Sequence, residues 1–85
     1  MARIDSSLLG ELKASPEAKV NLILRIKGEP EDLISLIQSR GIRVRRRFRF
    51  LKAVAIEGKA AACLELVDEP WVEAIEEDRE VRIMG

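Results

Sequence analysis

The sequence contains no histidine. Without an imidazole the chain cannot build a Ser-His-Asp or Cys-His catalytic group, and it lacks a common ligand of zinc and other transition metals. Its glycines stand singly, so no glycine-rich phosphate-binding loop is present. The acidic run Glu76, Glu77 and Asp78 is the remaining metal candidate, but neighbouring strand residues point to opposite faces and no further ligand is indicated. We therefore expect no enzymatic activity, no metal and no cofactor.

Cysteine and long apolar runs are also scarce. The single Cys63 cannot form an intramolecular disulfide, and we interpret it as a small core residue rather than a reactive thiol. No apolar run approaches the roughly 20 residues that cross a bilayer, and the N-terminus lacks the apolar region of a signal peptide. We expect no membrane partner. We also expect a cytoplasmic location if the chain, which begins with Met, is the whole gene product; otherwise its location follows that of a longer precursor.

The 85 residues carry a formal net charge of zero, but the two signs are segregated along the chain. Residues 40–52 include seven basic residues and no acid, whereas residues 65–80 include eight acids and one arginine. A basic cluster by itself suggests nucleic acid. Nucleic-acid-binding domains, however, usually carry an overall positive charge, and this chain has a pI near 6.3. We therefore expect no nucleic-acid partner.

Apolar periodicity predicts the fold class. In chain order it indicates a strand at 19–27, a helix at 30–40, strands at 42–50 and 53–57, a helix at 59–67 and a strand from residue 72. This order predicts an α+β, ferredoxin-like βαββαβ domain, in which both helices cover one face of a four-stranded antiparallel sheet. The second and fourth strands would then lie at opposite edges.

A short amphipathic helix, capped by Asp5 or Ser6, is predicted before this unit. Residues 1–17 are thus expected to form an N-terminal arm or short helix, residues 18–80 the domain and residues 81–85 an extended tail. The arm has two open interpretations: it is a packing arm or a poorly ordered terminus, or it is a dimerisation helix.

The strand predicted at 42–50 alternates almost perfectly, with only Arg46 out of phase. The apolar face comprises Ile42, Val44, Phe48 and Phe50, and the opposite face comprises Arg43, Arg45, Arg47 and Arg49. Three interpretations of the arginine face remain open: a charged edge that discourages aggregation, a protein-docking face, or a nucleic-acid face. The aromatic residues are expected opposite the arginines, which disfavours RNA binding by base stacking.

The last fourteen residues, VEAIEEDREVRIMG, begin as a strand and continue through an acidic turn into an apolar segment without helical period. This pattern resembles the end of a subtilisin propeptide, where a sheet strand carries an acidic turn and an extended tail follows about four residues later. The resemblance covers roughly residues 20–84. It implies the same ferredoxin-like fold, and it implies an inhibitor, with a possible role as folding assistant, of a subtilisin-type serine protease. It further implies that an excised propeptide would follow its protease precursor.

The resemblance also implies roles for individual residues. The tail would occupy the protease's substrate cleft in a product-like manner, with Met84 in the first subsite, Val81 in the fourth, and Arg82 and Ile83 between them. Gly85 departs from this pattern, because it either crosses the scissile position or is trimmed.

Within the acidic turn, Glu76 and Asp78 would cap the N-termini of two surface helices of the protease. The free inhibitor is expected to be a monomer. Two other function classes stay open for this topology: a nucleic-acid-binding domain, and a small-molecule-sensing or assembly domain.

Overall fold

The computed structural model describes residues 1–79, which form three α-helices and a five-stranded mixed sheet. The elements in chain order are β1 (Arg3–Ile4), α1 (Ser6–Ala14), β2 (Lys19–Ile26), α2 (Pro30–Ser39), β3 (Arg43–Arg47), β4 (Ala53–Lys59), α3 (Ala60–Glu65), a single 3-10 turn (Leu66–Asp68) and β5 (Val72–Glu77). The predicted α+β class is confirmed, as is the order of elements from β2 to β5.

The strand order across the sheet is β1-β5-β2-β4-β3. Strands β2 to β5 pair antiparallel with β2 and β4 in the middle, which is compatible with a ferredoxin-like arrangement. The prediction of a purely antiparallel, four-stranded sheet is wrong, because β1 pairs parallel with β5. Two residues are too few to show a period, so the sequence pattern did not reveal β1. Consequently β3 is an edge strand, whereas the outer side of β5 is partly covered.

The core lies between one face of the sheet and the helices. Leu22, Leu24 and Ile26 alternate along β2 and are almost fully buried. Each helix contributes buried side chains to the same apolar cluster, which places all three helices on this face. We call the other side, where the alternate residues of the central strands lie, the open face. Its central positions are small, since Ala53 and Ala55 of β4 are buried there without joining the cluster.

The ends of the helices follow from local chemistry. The Asp5 carboxylate accepts hydrogen bonds from the backbone N–H groups of Ser7 (3.0 Å) and Leu8 (3.2 Å), which confirms Asp5 as the N-cap of α1. Helix α2 begins at a proline and ends before Gly41, whose φ of 79° is a conformation that glycine adopts without strain. Not every apolar side chain of α2 faces the core, since Leu36 is 46% exposed.

The Cys63 side chain lies in the core. It is fully buried in α3, and this desolvation raises the pKa of the thiol to about 11. The thiol therefore stays protonated near neutral pH, which fits its interpretation as a packing residue.

The N-terminal segment packs on its own domain. Leu8 and Leu12 of α1 are buried in the apolar cluster, and the backbone N–H of Ala2 donates a 2.9 Å hydrogen bond to the carbonyl oxygen of Val67. The apolar face of α1 is thus buried against the chain's own core. It is therefore not available as a dimerisation surface. The domain boundary at residue 17 stays a prediction.

Replacing Leu12 by Ala tests whether α1 is an integral part of the domain. Truncating a side chain that is almost fully buried should lower the free energy of unfolding by about 2 to 5 kcal/mol. The matched control is Leu9→Ala in the same helix, where the side chain is only partly buried and the loss should be clearly smaller. Urea denaturation of both variants measures the difference. Equally small losses in the free energy of unfolding for both variants would show that α1 is a loosely attached arm.

Candidate functional site

A β-bulge at Arg45 changes the pattern of β3. Val44 pairs with Ile56 and Arg46 pairs with the next residue of β4, Ala55, so Arg45 has no partner in the ladder. A bulge inserts one residue and reverses the phase of the alternation beyond it. The side chains of β3 therefore do not form the single arginine row that strict alternation predicts.

The bulge overturns the predicted position of the aromatic residues. Ile42 and Val44, ahead of the bulge, do pack in the core, but Phe50 is 91% exposed in the loop between β3 and β4. Phe48 lies beneath the guanidinium of Arg46, which is 4.7 Å from the ring centre. Aromatic and basic side chains thus share one surface, so the argument from sequence against base stacking does not hold.

The arginines of β3 are nevertheless largely neutralised within the chain. The ion pairs are Arg43 Nη1 to Glu57 Oε1 at 3.3 Å, Arg45 Nη1 to Asp78 Oδ2 at 3.2 Å and Arg47 Nη2 to Glu31 Oε1 at 3.8 Å. The last pair reaches α2, on the helix side of the sheet. A polyanion would have to compete with these carboxylates, which lowers the counterion release that drives binding to nucleic acid.

The residues of the predicted acidic turn lie mostly in the strand itself, because Glu76 and Glu77 are the last two residues of β5 and Asp78 follows directly. We keep the name acidic turn for this segment. Glu76 is the partner of Ile23 in the pairing of β5 with β2, so its side chain lies on the open face. The Glu76 carboxylate is 3.3 Å from Nε of Arg25. Half of the Glu76 side chain is exposed, at 50%. An exposed pair of this kind stabilises little, so the Glu76 carboxylate can exchange Arg25 for another partner at small cost.

Asp78 differs sharply from Glu76. Its side chain is 2% exposed and is held by Arg45, while its backbone N–H donates a 3.1 Å hydrogen bond to the carbonyl oxygen of Asn21 in β2. The two candidate acids thus lie two residues apart but are presented to solvent very differently.

Both acids line a cleft of about 800 Å³ beside the end of β5. Its walls include the start of α1, represented by Ser7 and Glu11, and Phe48 from beyond β3. Within residues 1–79, no three side chains of metal-binding type converge on one point. The predicted cleft-binding residues of the tail, Val81, Arg82, Ile83 and Met84, lie outside the described residues.

Sequence reasoning missed Arg45 as a partner of the acidic turn. The only signal was the single break in alternation at Arg46, which marks the position of the bulge but not the direction in which Arg45 points. None of the helices within residues 1–79 has the length and apolar character needed to cross a membrane. No protein-family model matches the chain, and no curated protein matches it.

Binding to nucleic acid should be weak because three of the β3 arginines, Arg43, Arg45 and Arg47, already have carboxylate partners. Fluorescence anisotropy with a single-stranded RNA and a single-stranded DNA at about 0.15 M salt should show no binding at micromolar protein. The control is Glu57→Gln, which frees Arg43 and should raise the affinity slightly at low salt. Micromolar or tighter binding by the unmodified chain would favour a nucleic-acid-binding function instead.

Proposed function

We propose that this chain is an inhibitor of a subtilisin-type serine protease, of the subtilisin-propeptide kind, with a possible role as folding assistant. The observation that carries the proposal is the acidic turn at the end of β5, followed directly by the apolar tail. In this proposal β2 to β5 form a ferredoxin-like βαββαβ unit, to which β1 and α1 are added.

The tail supplies the inhibitory contact. An extended peptide can add as a strand to an enzyme cleft, where its backbone hydrogen bonds give affinity and its alternate side chains give specificity. Met84 and Val81 would enter apolar subsites, while Arg82 and Ile83 occupy the positions between them. The tail follows β5 closely in the sequence, so in this proposal the end of β5 and the tail both contact the protease.

Glu76 supplies a second contact. A carboxylate next to a helix N-terminus accepts hydrogen bonds from unpaired N–H groups and lies at the positive end of the helix dipole. The half-exposed position of Glu76 and its solvent-screened pair with Arg25 support this role. In the proposal, Glu76 leaves Arg25 and caps a surface helix of the protease.

A nucleic-acid-binding function has one observation in its favour, the stacking of Arg46 on Phe48. The ion pairs of β3 and the acids of β5 on the same sheet oppose it. We therefore retain protease inhibition as the proposal, with the free chain as a monomer.

Deleting residues 81–85 tests the inhibitory role of the tail. The full chain should inhibit hydrolysis of a small chromogenic peptide by a subtilisin, and the truncated chain should not, because the segment that fills the cleft is gone. Circular dichroism should show that the truncated chain is still folded, since the described core lies within residues 1–79.

A matched pair of variants at Met84 provides the control. Met84→Leu keeps an apolar side chain and should inhibit like the unmodified chain, whereas Met84→Asp places a charge without a partner in an apolar subsite and should inhibit far less. Full inhibition by the truncated chain, or none by the complete chain, would contradict the proposal.

Glu76→Gln isolates the capping contact. The amide keeps the size of the side chain but removes its charge, so the inhibition constant should rise by about 2-fold to 30-fold, which corresponds to a cap worth about 0.5 to 2 kcal/mol. The free energy of unfolding should hardly change, since the pair with Arg25 is exposed. Glu73→Gln, in the same strand, is the control and should leave inhibition unchanged. An effect of Glu76→Gln no larger than that of Glu73→Gln would exclude the capping role.

A further inference from the structure

The chain is fixed to the sheet at Asp78, just beyond the last strand. The backbone N–H of Asp78 bonds to Asn21 of β2, and its carboxylate bonds to Arg45 of β3. In the sheet, β3 and β5 are separated by β4 and β2. The ion pair between Arg45 and Asp78 therefore links the far edge of the sheet to the point where β5 ends.

The bulge explains how Arg45 makes this contact. As the extra residue of β3, it is released from the alternation that fixes the side chains of its neighbours, and bulges commonly redirect a side chain in this way. The neighbouring pair of Arg43 with Glu57 is formed across adjacent strands and leaves the Arg43 side chain largely exposed. The carboxylate that pairs with Arg45, by contrast, is almost completely buried.

This geometry conflicts with a role for Asp78 as a cap on a protease helix. To reach a partner, the carboxylate would have to leave Arg45 and become exposed. Asp78 would then give up an ion pair in which its own side chain is 2% exposed and that of Arg45 is 32% exposed, and separating a buried carboxylate from its partner is costly. Glu76, by contrast, already faces solvent.

We propose that Asp78 is the internal anchor of the C-terminal tail and that Arg45 is its positioning residue, so that Glu76 alone of the two acids contacts the protease. This inference rests on the proposed inhibitory function and gives the two acids different roles, anchoring for Asp78 and protease contact for Glu76. Asp78 precedes Val81 by three residues in the sequence, so holding Asp78 in place fixes a point of the chain close to the proposed inhibitory segment. A pre-positioned tail loses less conformational freedom on binding, which raises affinity.

The test is a double-mutant cycle in the full chain. Arg45→Met removes the charge but keeps the apolar stem, and Asp78→Asn removes the charge at nearly constant shape. Each should raise the inhibition constant for a subtilisin by at least about 10-fold, and the double variant should inhibit as Asp78→Asn does, since Arg45 has no charged partner at position 78 once Asp78 is replaced. Arg45→Lys keeps the positive charge and should therefore inhibit better than Arg45→Met.

The matched control is Arg43→Met, which removes an exposed arginine from the same strand and should change the inhibition constant by less than about 2-fold. All variants are compared at a temperature where circular dichroism shows each to be folded. If Asp78 instead caps a protease helix, Arg45→Met would remove a competing partner and leave inhibition unchanged or stronger, while Asp78→Asn would weaken inhibition. That opposite response to Arg45→Met would overturn the inference.

Amide hydrogen exchange separates this inference from the proposed function. In Arg45→Met, the Asp78 amide that bonds to Asn21 should exchange about 10-fold faster than in the unmodified chain, whereas Arg43→Met should leave it unchanged. This measurement needs no protease. If the unmodified chain inhibits no subtilisin, the proposed function fails, and an unchanged Asp78 exchange rate in Arg45→Met would then refute the anchor as well.

Discussion

The pairing of β2 on both of its sides is the constraint on which the rest of the structure depends. Leu22 and Leu24 must face the helices, and this fixes their neighbours as Ile56 and Val54 in β4 and, for Leu24, Ile75 in β5. A slip by one residue would turn every one of these side chains to the opposite face. The same register brings the end of β5 alongside the start of β2, where the carbonyl of Asn21 receives the N–H of Asp78.

The bulge in β3 sets the charge distribution of the molecule. Continuous alternation would place the arginines in one exposed row on an edge strand, a surface suited to polyanions. The phase change instead directs Arg45 to Asp78, Arg46 to the ring of Phe48 and Arg47 to α2. Charges that are segregated along the sequence are consequently paired in space.

The acidic turn combines an accessible and an inaccessible carboxylate within three residues. A half-exposed acid can change partners at little cost, while a buried acid paired with arginine is held in place by the energy lost when the pair opens. In an inhibitor these properties suit two tasks: contact with the enzyme by Glu76, and fixation of the inhibitory segment by Asp78. The helix α1 and strand β1 add a side wall to the cleft that both acids line.

The sequence by itself determined the elements from β2 to β5, their order and a helix cap at Asp5 or Ser6, because periodicity and capping depend on residues close together in the chain. It also located the acidic turn at the end of β5. Only the tertiary structure decided that β1 joins the sheet, that Phe50 is exposed and that Asp78 is buried against Arg45. The break in alternation at Arg46 signalled a bulge but could not say where Arg45 points. These features arise between residues far apart in the chain, and a local pattern carries no information about which distant group a side chain will meet.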